Sequence, residues 1–223
     1  RIENLVFRNL VLPYGWERLS PPEPRDALSH YFTDGRAGLV PRRPQLAVGT
    51  NWVCRFDPNW TPGLRLPEGT RGPRRAAPEH LALPSASELG YDLGPLAREI
   101  IGEARGVEAK VEALRDFFRR EIRYDLTLDW LPPDRNERFA TFIGEARSGD
   151  CMYFATAAAL LLRAARVPAR FVAGYAGVDW DDEAGHWIVR QSHAHAWIEV
   201  QTAGGRWLPL DPVTWTHGGA ERG

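Results

Sequence analysis

The sequence predicts an α+β protein, with helices followed by an antiparallel sheet and a small β-rich or irregular unit in front of them. Three observations lead there. Twelve of the 18 prolines lie before residue 91, and proline fixes its backbone angle and removes an amide donor, so that part holds no long helix. From Gly94 onward apolar residues recur at helical spacing. From Ala169 onward short alternating segments are separated by turn residues.

Taken in chain order, the first clear element is "QLAVGTNWVCRF", where Leu46, Val48, Trp52, Cys54 and Phe56 alternate onto one face. Cys54 on that face reads as a free core thiol. "LPEGTRGPRRAAPEHLALPS" reads as loop. "PLAREIIGEARG" is expected to open a helix at Pro95 and end at Gly106. In "VEAKVEALRDFFRREI", Val107, Val111, Leu114, Phe118 and Ile122 form one helical stripe. After the loop "DLTLDWLPPDRN" comes an apolar helix beginning near Cys151, with Phe154, Ala158, Leu161, Leu162 and Ala165 toward a core and Pro168 ending it. "ARFVAGYAGV", "HWIVRQ", "HAHAWIEVQ" and "RWLPLD" then read as strands, with "TAGG" (residues 202–205) as the loop of a hairpin. The expected domains are residues 1–88, a Pro-rich β or irregular unit, residues 89–216, the α+β unit, and residues 217–223, a tail.

The chain has 223 residues, 43% of them hydrophobic, and a net charge of −1. Near-neutrality argues against a sequence-independent nucleic-acid binder, which needs a basic excess. The apolar run beside Cys151 stops at Arg163, short of the ~18 residues of a membrane span, so no membrane contact is expected within this segment. Met152 is the only methionine and no signal peptide is visible, so the chain reads as a soluble piece of a longer protein. Two cysteines are too few for a disulfide framework.

Cys151 follows Ser148-Gly149-Asp150 and heads the apolar helix. Unpaired amides at a helix start favour negative charge, hence the thiolate, which is the nucleophilic form. Asp150 is the expected N-cap. Position alone fits equally a small buried core residue. A nucleophilic cysteine needs a base, and the base an orienting group. In "SHAHAWIEV", strand alternation puts His193, His195, Trp197 and Glu199 on one face. With a loop at residues 202–205, Ala196 would pair with Asp211, bringing Asp211 diagonally beside His195.

The three blocks "SGDCMYFATAAALLLRAARVPARFVAGY", "AHAWIEV" and "GGRWLPLDPVT" resemble the signature blocks of the transglutaminase-like superfamily over roughly residues 90 to 215. The resemblance implies a papain-like fold and a Cys–His–Asp triad, with Cys151 as nucleophile, His195 as base and Asp211 as the residue orienting the base. It implies a thioester, a peptide or protein substrate and no cofactor. It also implies an extracytoplasmic setting (periplasm or cell surface), with a membrane tether elsewhere in the full-length protein. Trp130, in "LDWLPP", is a candidate oxyanion donor, and Tyr153, His193 and Trp197 are candidate cleft residues. Met152-Tyr153 and His193 depart from the pattern of bacterial relatives.

Zinc is the rival chemistry, since Cys151, His193, His195 and Asp211 are all ligand types, but Cys151 has no second cysteine near it and the resemblance assigns these residues otherwise; the expectation is no metal. His30, His80 and His217 read as solvated, and "DWDDEAG" as a solvated hairpin tip before His186. Water is expected to resolve the thioester more readily than an amine: no calcium-loop pattern is present, the connections are short, and Lys110 is the only lysine. The competing class is a non-catalytic interaction module that keeps the fold.

Overall fold

A computed structural model describes residues 66–176, 179–183, 185–188 and 190–216, together with six short strands before residue 57. Those strands are β1 (Ile2–Glu3), β2 (Trp16–Leu19), β3 (Tyr31–Thr33), β4 (Leu39–Pro41), β5 (Asn51–Trp52) and β6 (Cys54–Phe56). They pair antiparallel as β1–β5, β2–β6 and β3–β4. The single strand expected through Cys54 is therefore represented by two pieces with different partners. The side chain of Cys54, and His30 and His217, lie outside the described residues. The chain divides into two compact units, residues 1–61 with 173–195 and residues 62–172 with 196–223.

In the second unit, helix α1 (Ala86–Leu89) starts at a capping box: Ser85 Oγ accepts from Glu88 N–H, and the Glu88 carboxylate accepts from Ser85 N–H at 2.8 Å. Helix α2 spans Leu93–Ile101, not Pro95 to Gly106. Asp92 sets the earlier start by accepting from Gly94 N–H at 2.9 Å, a stronger signal than proline at the first position. Helix α3 (Gly106–Glu121) buries Val107, Val111, Leu114 and Phe118 of the expected stripe and Phe117 besides, while Ile122, also buried, is its C-cap. Strand β7 (Arg123–Tyr124) follows. The loop beyond it ends in helix α4 (Arg138–Thr141), which widens into a π-helical turn over Phe142–Ala146. Arg147, at φ 48°, stops that turn, and strand β8 (Ser148–Gly149) leads into helix α5 (Cys151–Ala164).

Helix α5 is central. Phe154, Ala155, Ala157, Ala158, Ala159, Leu160, Leu161 and Leu162 are all buried, and an α-helix apolar on nearly every side belongs in the middle of a core. Truncating one of these leucines to alanine costs roughly 2–5 kcal/mol. Lys110 Nζ donates to Ala165 O at 2.7 Å, a cation at the negative end of α5.

Strands β9 (Ala169–Tyr175), β12 (Ala194–Gln201) and β13 (Trp207–Leu210) form a sheet in the order β13–β12–β9. Ala196, Ile198, Val200 and Leu210 join the α5 core. The opposite side of β12 is covered too: Trp197 and Glu199 are buried, and Glu199 pairs with Arg170, whose guanidinium lies 4.4 Å from the Trp207 ring centre. His80, expected to be solvated, packs edge-on against Trp207 at 4.6 Å. The β12–β13 register differs from the expected one. Ile198 faces Leu210 and Gln201 faces Trp207, because the loop runs from Thr202 to Arg206 around a 3₁₀ turn at Ala203–Gly205. One residue more in the loop shifts every pair by one, and carrying the register a step further sets Trp197, not Ala196, opposite Asp211.

In the first unit, β10 (Asp179–Asp181) and β11 (His186–Ile188) form the expected hairpin. His193 closes a 3₁₀ turn over Gln191–His193 that precedes β12. It is therefore not a strand residue sharing a face with His195, as alternation alone suggested.

Candidate active site

The approach to Cys151 is built from backbone pairing and one carboxylate. Strands β7 and β8 pair in parallel, Arg123 with Ser148 and Tyr124 with Gly149. Asp125 N–H donates to Gly149 O at 3.0 Å. The Asp125 carboxylate accepts from Thr127 N–H and Oγ1–H, both at 2.9 Å, and from Ser148 Oγ–H at 3.3 Å. The Thr127 amide first, then its hydroxyl and Ser148, hold the Asp125 carboxyl below its ordinary value. The Asp-x-Thr spacing of Asp125 and Thr127 is a readable turn signal, but nothing in the sequence ties it to Ser148.

Cys151 is the first residue of α5 and half-buried, as the helix-head argument expects. Asp150 is the N-cap: its Oδ1 accepts from Met152 N–H at 2.9 Å and Tyr153 N–H at 3.3 Å. Met152, the residue after Cys151, is 48% exposed.

An aromatic cluster stands against this helix head. Tyr153 packs edge-on to Trp130 at 5.2 Å, and its ring lies 5.3 Å from Phe142. Burial pushes the Tyr153 phenol above its ordinary value, with Arg138 opposing. The cluster leaves one donor over: Trp130 Nε1 is buried and has no hydrogen-bond partner among the described residues. A buried unpaired N–H is costly, and such groups in native proteins ask for a reason. Gly149 allows the cluster to close on the loop, because a Cβ there would lie 2.9 Å from Phe142 Cε2 and 3.1 Å from Tyr153 Cβ.

Asp211 is buried and caps the 3₁₀ turn Pro212–Trp215, its Oδ1 accepting from Val213 N–H at 3.0 Å. His195 is the second residue of β12 and half-buried. His193 is committed elsewhere, its Nδ1 accepting from Arg190 N–H at 3.0 Å and its Nε2 lying 3.4 Å from Asp179 Oδ1. The Nδ1 lone pair of His193 is thus occupied by a backbone amide. Trp130 and Tyr153 are thus brought together at the head of α5, Trp197 lies within the sheet, and His193 belongs to a separate network. Among the described residues no group of three or more His, Cys, Asp or Glu side chains could hold a metal ion. No helix among them is long and apolar enough to cross a membrane.

An apolar helix headed by cysteine, wedged among helices beside a sheet, is the core of a known class. The transglutaminase-like superfamily model matches residues 94–212, and the chain belongs to that superfamily. Among curated proteins it is similar to the protein-glutamine gamma-glutamyltransferase of Pseudomonas aeruginosa. The two are 34% identical over 121 residues, which is 53% of this chain and 18% of that protein. It also matches the uncharacterized protein YebA of Bacillus subtilis, 30% identical over 220 residues, 93% of this chain and 29% of that one. The chain thus spans less than a third of the length of either relative. The periplasmic domain of TgpA from P. aeruginosa, in its ethylmercury-bound crystal structure, shares the fold with a TM-score of 0.62 at 24% identity, covering 93% of this chain and 70% of that one.

Proposed function

We propose that the chain is a cysteine-nucleophile acyl-transfer enzyme that acts on amide bonds of peptides or proteins through a thioester. The observation that carries the reading is the head of α5, where Cys151 begins the helix and Tyr153, two residues on, packs against a tryptophan whose indole N–H is buried without a hydrogen-bond partner among the described residues. Cys151 passes its thiol proton to His195 as Sγ attacks the amide carbon, and the carbonyl oxygen becomes an oxyanion. Trp130 Nε1–H and the Cys151 backbone N–H are the donors assigned to it. His195 delivers a proton to the departing nitrogen as the C–N bond breaks, leaving the acyl group on sulfur. His195 then takes a proton from the incoming amine or water, the new acyl bond forms as the C–S bond breaks, and His195 returns the proton to Sγ to restore the Cys151 thiol. Asp211 orients the imidazole in this scheme. Proton accounting closes with side chains alone, so no cofactor is assigned.

The name of the Pseudomonas relative, protein-glutamine gamma-glutamyltransferase, favours a glutamine carboxamide as acyl donor and a primary amine as acceptor. It outweighs the compactness argument for water drawn from the sequence. The setting we assign is outside the cytoplasm, in a longer chain, in keeping with the periplasmic origin of the TgpA domain; fractionation of the full-length protein tests this.

The decisive experiment incubates the protein with a glutamine-containing protein and a labelled primary amine, with and without Cys151→Ala. Label incorporation that requires Cys151 is expected. Ammonia release or peptide cleavage without label moves the acceptor to water. No Cys151-dependent chemistry, together with a thiol inert to iodoacetamide, would leave a non-catalytic interaction module.

A further inference from the structure

We propose that His193 is a positioning residue. Together with Asp179 and Arg190 it forms a pin that fixes the entry of β12 and so places His195 for proton transfer. This rests on the acyl-transfer reading, in which His195 is the base.

The geometry lies within one short stretch of the first unit. His193 N–H donates to Arg190 O at 3.0 Å, while Arg190 N–H donates back to His193 Nδ1 at 3.0 Å. These reciprocal bonds close the turn from both sides, as a glutamate does when it reaches back to an N-cap amide. The His193 carbonyl accepts from Ala176 N–H at 2.9 Å, fastening the turn to the end of β9. Because Nδ1 accepts, the ring proton resides on Nε2, which faces Asp179 Oδ1 at 3.4 Å. Asp179 Oδ2 accepts from Arg190 Nε at 2.6 Å. One carboxylate on β10 therefore grips both ends of the turn, and His195 is two residues beyond it. A histidine held on three sides, its Nδ1 taken by a backbone amide and its Nε2 facing Asp179, holds its neighbours in place.

The network is poorly suited to a purely stabilising role. Asp179 is 48% and Arg190 56% exposed, and exposed ion pairs contribute little to stability. Catalytic geometry is more sensitive: a small misplacement of a catalytic group lowers a rate by up to about a hundredfold.

The experiment compares wild type, His193→Ala, His193→Gln, Asp179→Asn and His195→Ala in the full domain. It reads the pH–rate profile of Cys151 alkylation by iodoacetamide, the imidazole NMR signals and the melting temperature. His193→Ala and Asp179→Asn are expected to melt like wild type, to shift the His195 signal, and to alkylate roughly tenfold more slowly at neutral pH. His195→Ala should lose the enhancement altogether. His193→Gln should recover much of the rate, because its amide oxygen can reach back to Arg190 N–H. An unmoved His195 signal in His193→Ala and Asp179→Asn overturns the positioning role while leaving the enzyme reading intact. If His195→Ala alkylates like wild type, the enzyme reading fails and the positioning role fails with it.

Discussion

Replacing Gly149 by alanine adds one methyl group at a position where the surroundings cannot yield. The new Cβ would lie 2.9 Å and 3.0 Å from two Phe142 ring carbons and 3.1 Å from Tyr153 Cβ, well inside ordinary carbon contact. Phe142 is fully buried and has Trp130 at 6.2 Å, Tyr153 at 5.3 Å and Phe154 at 6.2 Å around it. The glycine backbone is held in turn by the bond from Asp125 N–H. Overpacking of this kind costs ~1–3 kcal/mol. In a chain of this length each kcal/mol moves Tm by roughly 2–4 °C, so the melt should fall by about 2–12 °C. Relief requires either the ring cluster or the loop to move, and both change where Cys151 sits relative to Trp130, so iodoacetamide should react more slowly with Cys151. Gly144→Ala is the control, since its Cβ would meet only two Tyr91 ring carbons, at 3.4 and 3.9 Å, and it should melt near wild type. A Gly149→Ala protein that melts and alkylates like the control would refute the close packing described for the loop.

Three further outcomes follow. Trp130→Phe removes the buried indole N–H, which has no partner among the described residues, and keeps a ring; acyl transfer should fall about 10²–10³-fold, while the melt stays close to wild type because no hydrogen bond among the described residues is lost. Asp150→Ala removes the cap from Met152 and Tyr153 amides and should cost ~0.5–2 kcal/mol in denaturant unfolding, most of it restored by Asp150→Asn. The folded Asp125 carboxyl is held below the ordinary 3.8 by Thr127 and Ser148. Its charge therefore contributes stability above that value, and the contribution is lost as pH falls through the lowered one. The melting-temperature gap between wild type and Asp125→Asn should be constant near neutrality and close in strong acid.

The sequence by itself determined the α+β class, the α3 stripe from Val107 to Phe118, the start of α5 at Cys151 with Asp150 as its cap, and the presence of a β12–β13 hairpin. These are local matters: the 3.6-residue period, a capping side chain and a turn-forming glycine act on their own few residues. The family was legible for a related reason, since its signature blocks are contiguous. Tertiary structure alone decided the hairpin register, because a loop of Thr202 to Arg206 rather than residues 202–205 is settled by packing on both faces of β12. Packing also placed His80 against Trp207, left the Trp130 indole N–H buried at the head of α5, and joined Asp125 to Ser148 across 23 residues. His193 shows the division within a single residue. Alternation in "HAHAW" put it in the strand beside His195, but a bond from Arg190 N–H and an aspartate on β10 drew it into a turn instead. Periodicity reports which way a side chain would point if the element continued, whereas the partners that end an element come from elsewhere in the chain.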